Sequence, residues 1–234
     1  MVCGTVLLIA CATASIAADA LYALRTGGRK GMQNLKIKLP PPRIDGAVSV
    51  EKALAERRSV REFLSEALPL ESVSQLLWAA QGLCAGSGYR TAPSAGALYP
   101  LELYLVAGDV VSLAPGVYRY APRTHEIALV RLGDRRRELC AAALGQDSVG
   151  SAPAVIVIAA VYGRITGKYH QRGIRYAHIE CGHAAQNLYL QAHTLGLGTV
   201  AIGAFDDARV KRVLEMDERE EPLYLLPAGK PRSR

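Results

Sequence analysis

Residues 152–162 read APAVIVIAAVY, a run with no charge and no polar alternation. A strand with one wet face carries a polar side chain at every second position. A β-branched run without that alternation is covered on both faces, so it belongs at the centre of a sheet with helices on either side. Upstream, RRRELCAAAL (135–144) has helical composition, and GVYRYAPRTHEIALVRL (116–132) reads as a hairpin turning between Tyr120 and Ile127. ELYLVA (102–107) is a strand. LESVSQLLWAAQG (70–82) puts Val73, Leu76, Leu77 and Ala80 on one helical face and stops at Gly82. Ser49 can cap a helix through about Glu56. Downstream, HIECGHAAQNLYLQAHTLGLG (178–198) is a long helix ending at Gly196 or Gly198. TVAIGAF (199–205) is a strand running into a loop, DDARVKRVLEM (206–216) a short helix capped by Asp206 or Asp207, and PLYLLPAGK (222–230) a last strand. Helices and strands mix without strict βαβ alternation, which predicts an α+β fold with a central mixed or antiparallel sheet flanked by helices.

Half of the 234 residues are hydrophobic, enough for one substantial core. The net charge of +7 sits at the ends: residues 1–50 hold six basic and two acidic side chains, 230–234 hold three basic ones, and the rest is balanced. A nucleic-acid partner needs a basic face on the fold itself and aromatic platforms, and one Trp with two Phe supply few. The five cysteines (Cys3, Cys11, Cys84, Cys140, Cys181) match neither a CxxC pair nor a disulfide scaffold. His178 and His183 stand five apart on a helix and point away from each other, so no metal set is expected with Cys181.

Residues 1–25 form an apolar segment, VCGTVLLIACATASIAA at its heart, of a length between a signal peptide and a membrane span. Its basic residues follow it, an order that favours an anchor whose C-terminal side stays in the cytoplasm. LIAC up to Cys11 also resembles a lipoprotein cleavage site. Residues 26–48, rich in Gly, Pro and Lys, read as a linker, and the folded domain is expected over 49–234.

Four stretches carry candidate chemistry. ERRSVREF (56–63) gathers Arg57, Arg58, Ser59 and Arg61 at a helix end, and guanidinium forks with a hydroxyl suit a phosphate. PSAGALYP (93–100) is a loop whose small residues let its backbone touch a flat ligand, with Gly96 free to take unusual dihedrals. GTVAIGAFDD (198–207) repeats that device at Gly203 and Ala204. GKYHQRGIRYAHIECGH (167–183) is a polar segment leading into the long helix, with Lys168 beside Tyr169 as a candidate acid–base pair. Neither GxGxxG, a P-loop nor GxSxG is present.

RRSVREF, PSAGALYPLELY, GVYRY, GHAAQNLYLQAHTLGLG and AIGAFDD occur in the order and spacing of the FMN-dependent nitroreductase family, which this chain resembles over about residues 49–231. It looks most like the branch related to azoline dehydrogenases, which oxidise thiazoline and oxazoline rings in peptides. The resemblance implies FMN, with hydride passing through flavin N5 and NAD(P)H as a candidate donor. It places Arg57, Arg58, Ser59 and Arg61, with Lys230 or Arg232, at the phosphate. Pro93, Ser94, Ala95, Gly96 and Ala97 would lie against the ring, and the backbone of Ile202, Gly203 and Ala204 on the N5 side. Lys168 and Tyr169 match the Lys–Tyr pair implicated in proton removal. A homodimer with FMN at the subunit interface and a small-molecule or peptide substrate are also implied. The alternative is a flavin-binding or carrier protein without turnover.

Overall fold

The computed structural model describes residues 35–84 and 86–232. The apolar run forms β5 (Ala154–Val161), flanked on one side by β2 (Leu101–Ala107) and on the other by β7 (Glu220–Gly229), both antiparallel to it. β3 (Gly116–Ala121) and β4 (Glu126–Leu132) extend the sheet beyond β2, and β6 (Gly198–Thr199) closes the far edge beside β7. With β1 (Lys36–Lys38) at the first edge, the order is β1-β4-β3-β2-β5-β7-β6. All pairings between the described strands are antiparallel, so the unbroken apolar run here marks a doubly covered antiparallel strand.

The cover comes from helices on both faces. Ala154, Ile156, Ile158 and Ala160 face one core with α2 (Leu70–Gln81) and the long α6 (Arg172–Thr194). Val155 and Val157 face a second core with α3 (Arg136–Ala142) and α7 (Asp207–Leu214). α4 (Asp147–Ser151) leads into β5, and α1 (Val50–Glu56) and α5 (Gly163–Tyr169) complete the helices. Leu76, Leu77 and Ile158 are fully buried, each side chain contributing about 2 kcal/mol. The expected caps form: Ser49 accepts the Lys52 amide at 3.2 Å, and Asp206 accepts that of Arg209 at 2.9 Å. α2 ends at Gly82, where a Cβ would overlap the Trp78 ring.

Three expectations change. The linker reading of 26–48 fails at residues 36–38, where β1 pairs with β4 and buries Ile37 and Leu39. Its exposed lysines alternate with buried aliphatic residues, the pattern of a charged edge strand. The long helix begins at Arg172 rather than His178, and 163–169 is itself helical, so the polar segment is not a loop. The buried positions Ile165, Gly173 and Ala177 continue the apolar face, hidden in the sequence by the surrounding charges. The strand expected over 199–205 shrinks to β6 and one bridge between Ile202 and Leu225. Residues 1–34, and with them the anchor or signal reading, lie outside the described residues. Among the described residues no helix is long and apolar enough to cross a membrane.

Candidate active site

Beyond α1, the segment 57–64 runs beside the chain's C-terminal residues: Lys230 O accepts the Leu64 amide at 2.9 Å, and Glu62 O accepts that of Arg232 at 3.0 Å. Together they line an open cavity of about 640 Å³ with Arg58, Ser59, Arg61, Glu62 and Arg232. Three guanidiniums against one carboxylate make this a place for an anion. Arg58 also turns back to donate to the carbonyls of Ala55 and Arg57. Arg57 does not line the cavity, and its guanidinium lies over the Tyr189 ring, 5.4 Å from the centroid. Lys230 is likewise outside it, its Nζ paired with exposed Glu66 at 3.1 Å.

The second element is the 93–99 loop. Gly96, Ala97 and Tyr99 all have positive φ, at 63°, 54° and 48°. Ser94 holds this shape: its Oγ accepts the Tyr99 amide at 2.9 Å and its carbonyl that of Ala97 at 3.0 Å. Lys168 and Tyr169, in the last turn of α5, come directly against the loop. A Cβ on Gly96 would stand 2.9 Å from Tyr169 Oη and 3.2 Å from Lys168 Nζ, so the dihedral calls for glycine and a side chain would push both tips aside. The Tyr169 ring packs edge-on to Tyr176 with centroids 5.1 Å apart.

The third element, 198–204, is tied to the first. Thr199 O accepts the Val60 amide at 2.9 Å, and Tyr189 Oη joins Ser59 Oγ at 3.1 Å to the Ala201 amide at 2.8 Å. The Ile202 amide does not face the site, because it donates to Leu225 O at 2.9 Å in an antiparallel bridge, and Ile202 is buried. That corrects one of the three expected backbone donors. Gly203 and Ala204 are exposed, and among the described residues neither amide donates a hydrogen bond.

Two residues given no role from the sequence stand at the candidate site. Tyr189 binds segments distant in sequence, and nothing in NLYLQA announces it. Glu180 had a signal: it lies between Ala177 and Ala184 on the apolar stripe of α6, where a carboxylate is out of place. It is 2 % exposed, and neither oxygen has a hydrogen bond of good geometry. Ser94, Arg90 and Gln81 lie near enough to favour its anion, but burial outweighs them and pushes its pKa up to about 7.

α6 is the rail that sets the distances. Glu180 lies beside Ser94 of the 93–99 loop, Asn187 Nδ2 donates to Thr91 O at 3.2 Å, and Tyr189 holds Ser59. Nine residues of helix separate Glu180 from Tyr189, about 14 Å of rise. The small-residue loop and the guanidinium cavity are therefore held about two and a half helical turns apart along one rigid element.

The sequence model of the nitroreductase family matches residues 54–230. The chain belongs to the nitroreductase family. As an oxidoreductase of that family, it is 46 % identical over 183 residues to the nitroreductase-family protein MJ1384 of Methanocaldococcus jannaschii, covering 78 % of this chain and 91 % of the relative. It is 30 % identical over 140 residues to the microcin B17-processing protein McbC of Escherichia coli, covering 57 % of this chain and 51 % of McbC. The fold superposes with a TM-score of 0.74 on a crystal structure of a family member from Ralstonia eutropha, 33 % identical, covering 85 % of this chain and 90 % of the other. The α+β fold with its seven-stranded antiparallel sheet is thus the nitroreductase-like fold. The residues present fit a flavin: three guanidiniums and a hydroxyl line a cavity that suits its phosphate, and the 93–97 segment carries only small side chains against which a flat ring can lie.

Proposed function

We propose that the chain is an FMN-dependent oxidoreductase that oxidises a small-molecule or peptide substrate. The observation that carries this reading is the approach of Lys168 Nζ and Tyr169 Oη to the small-residue loop at Gly96. Arg58, Ser59, Arg61 and Arg232 would hold the phosphate, and Tyr189 keeps that segment in register with 198–204. The 93–97 backbone would lie against the ring, with the Gly203 and Ala204 amides as donors at its edge. FMN, when bound, accepts hydride at N5. Lys168, with Tyr169 beside it, would remove the substrate proton, and the edge-on Tyr176 fixes the phenol's orientation. Kinship with McbC supports a peptide or peptide-like substrate. A reductase fed by NAD(P)H is the second reading, favoured by the match to MJ1384 over nearly its whole length. Exposed Val50 and Leu54 on α1 and Ile179 on α6 support a homodimer, whose partner would cover them.

Lys168→Ala is expected to lower turnover at least about 100-fold while retaining FMN. Full activity in that variant excludes Lys168 as the base. Arg61→Ala is expected to weaken FMN binding about 10- to 100-fold, read from flavin retained after gel filtration. Unchanged retention removes the 640 Å³ cavity as the phosphate site.

A further inference from the structure

Glu180 is buried without a hydrogen bond to offset the cost of its burial. Its carboxyl is buried with both oxygens unsatisfied, and the Gln81 Nε2 beside it is buried and unsatisfied too. Gln81 Oε1 accepts from Arg90 Nη1 at 2.7 Å, so the amide points its donor end away from Arg90. Arg90 lies over the Tyr99 ring at 4.7 Å and donates to Leu101 O at 3.3 Å. Ser94 already accepts the Tyr99 amide, which leaves its hydroxyl proton to give. Arg90, Gln81, Glu180 and Ser94 are therefore neighbours under a loop with three left-handed residues, and of the links between them only Arg90–Gln81 is closed by a hydrogen bond in the structure. Such a loop persists only where its surroundings over-determine it.

We propose that Glu180 is a positioning residue for the flavin cradle: it secures the 93–99 loop through Ser94 and takes up a solvent proton when hydride brings negative charge into the cradle. The inference rests on the flavin reading above. Hydride adds two electrons and one hydrogen nucleus to the cradle's occupant, and the carboxylate becomes a carboxylic acid with a proton from water. No other oxidant or reductant is needed. As an anion, Glu180 can accept from both Ser94 Oγ and Gln81 Nε2. As a neutral acid it can donate while still accepting, so the loop stays held in both states.

The charged and titratable groups around it fit this part. Arg90 and Gln81 face it from the loop and α2, and Ser94 from the cradle itself. On its own helix, Cys181 has a thiol that burial pushes up to about 12. Glu102 on β2 and Arg164 on α5 act on Arg90 and pair with each other, and among the described residues Arg90 is the cation whose charge favours the Glu180 anion. Burial lowers the Arg90 pKa, and its guanidinium is hydrogen-bonded to the Gln81 amide oxygen rather than to Glu180. A carboxyl so weakly compensated changes protonation when a nearby charge changes.

The test is the flavin midpoint potential of the full chain loaded with FMN, measured against pH on both sides of 7, in wild type and Glu180→Gln. Wild type is expected to show a slope twice as steep near neutrality, because two protons accompany two electrons. Glu180→Gln is expected to keep the shallower one-proton slope throughout. FMN bound in both proteins with identical slopes overturns this inference alone, whereas a wild type that retains no FMN overturns the flavin reading and this inference with it. If Glu180→Gln does not fold, the reduced-minus-oxidised infrared difference spectrum of wild type decides. A new protonated-carboxyl band supports the inference and its absence overturns it.

Discussion

Two glutamates lie deep in this protein and are treated in opposite ways. Glu220, on β7, is 1 % exposed, and its oxygens accept from the Tyr104 hydroxyl, from Arg119 Nη2 at 2.7 Å and from the Asp217 amide at 3.2 Å. Glu180, on α6, is as deeply buried, yet neither oxygen is hydrogen-bonded. A buried charge is tolerated when its lone pairs are matched by donors and costs several kcal/mol when they are not. Glu220 is therefore part of the scaffold, a closed network with Arg119, Tyr104 and Glu102. Glu180 costs stability, and it does so beside the one loop where Lys168 and Tyr169 meet a glycine. The contrast separates buried polarity that builds the fold from buried polarity kept for the site.

Removing each carboxylate tests that contrast. Glu220→Ala leaves the Tyr104 hydroxyl and part of Arg119 buried without an acceptor, and is expected to cost about 3–5 kcal/mol in urea unfolding. A loss below about 1 kcal/mol would show that Glu220 is no more structural than Glu180. Glu180→Gln should act with the opposite sign. The native carboxyl titrates at about 7 instead of its ordinary 4.5, so between these values the native state keeps a proton that the unfolded chain has released. Stability then falls as pH rises through that window and stays lower above it. Glu180→Gln escapes the fall, and above pH 7 it is expected to exceed wild type by roughly 3 kcal/mol, with little difference near pH 4. Parallel stability–pH curves for the two proteins would contradict this.

Gly96→Ala probes the loop that Glu180 supports. With φ at 63° and Tyr169 Oη 2.9 Å from the new methyl, a loss of about 1 kcal/mol and weaker FMN binding are expected from denaturation and flavin titration. The smallest effect belongs to Lys230→Ala, which removes only an exposed pair with Glu66. It is expected to shift stability by less than about 0.5 kcal/mol and to leave flavin retention unchanged. Loss of flavin there would return Lys230 to the phosphate site, against its placement outside the cavity.

Much of this was legible in the residues because the signals were local. The run 154–161, the Ser49 and Asp206 caps and the stop at Gly82 each follow from a few neighbours, and the structure keeps them. What stayed hidden depends on contacts across the fold. Nothing near Ile202 says that its amide is taken by Leu225, and nothing near Lys230 says that it turns to Glu66. β1 was missed because three residues give no period to read, and its partner lies some 90 positions away. Glu180 was visible as a charge on an apolar stripe, but only the packing of Gln81, Arg90 and Ser94 shows what that charge faces.

The most direct measurement is the visible spectrum of the full chain after incubation with FMN and gel filtration, taken before and after anaerobic addition of a reductant. The account predicts a yellow protein that retains FMN and bleaches on reduction. A colourless protein that cannot be loaded would contradict the flavin reading, and a yellow one that no donor reduces would make the chain a carrier rather than an enzyme.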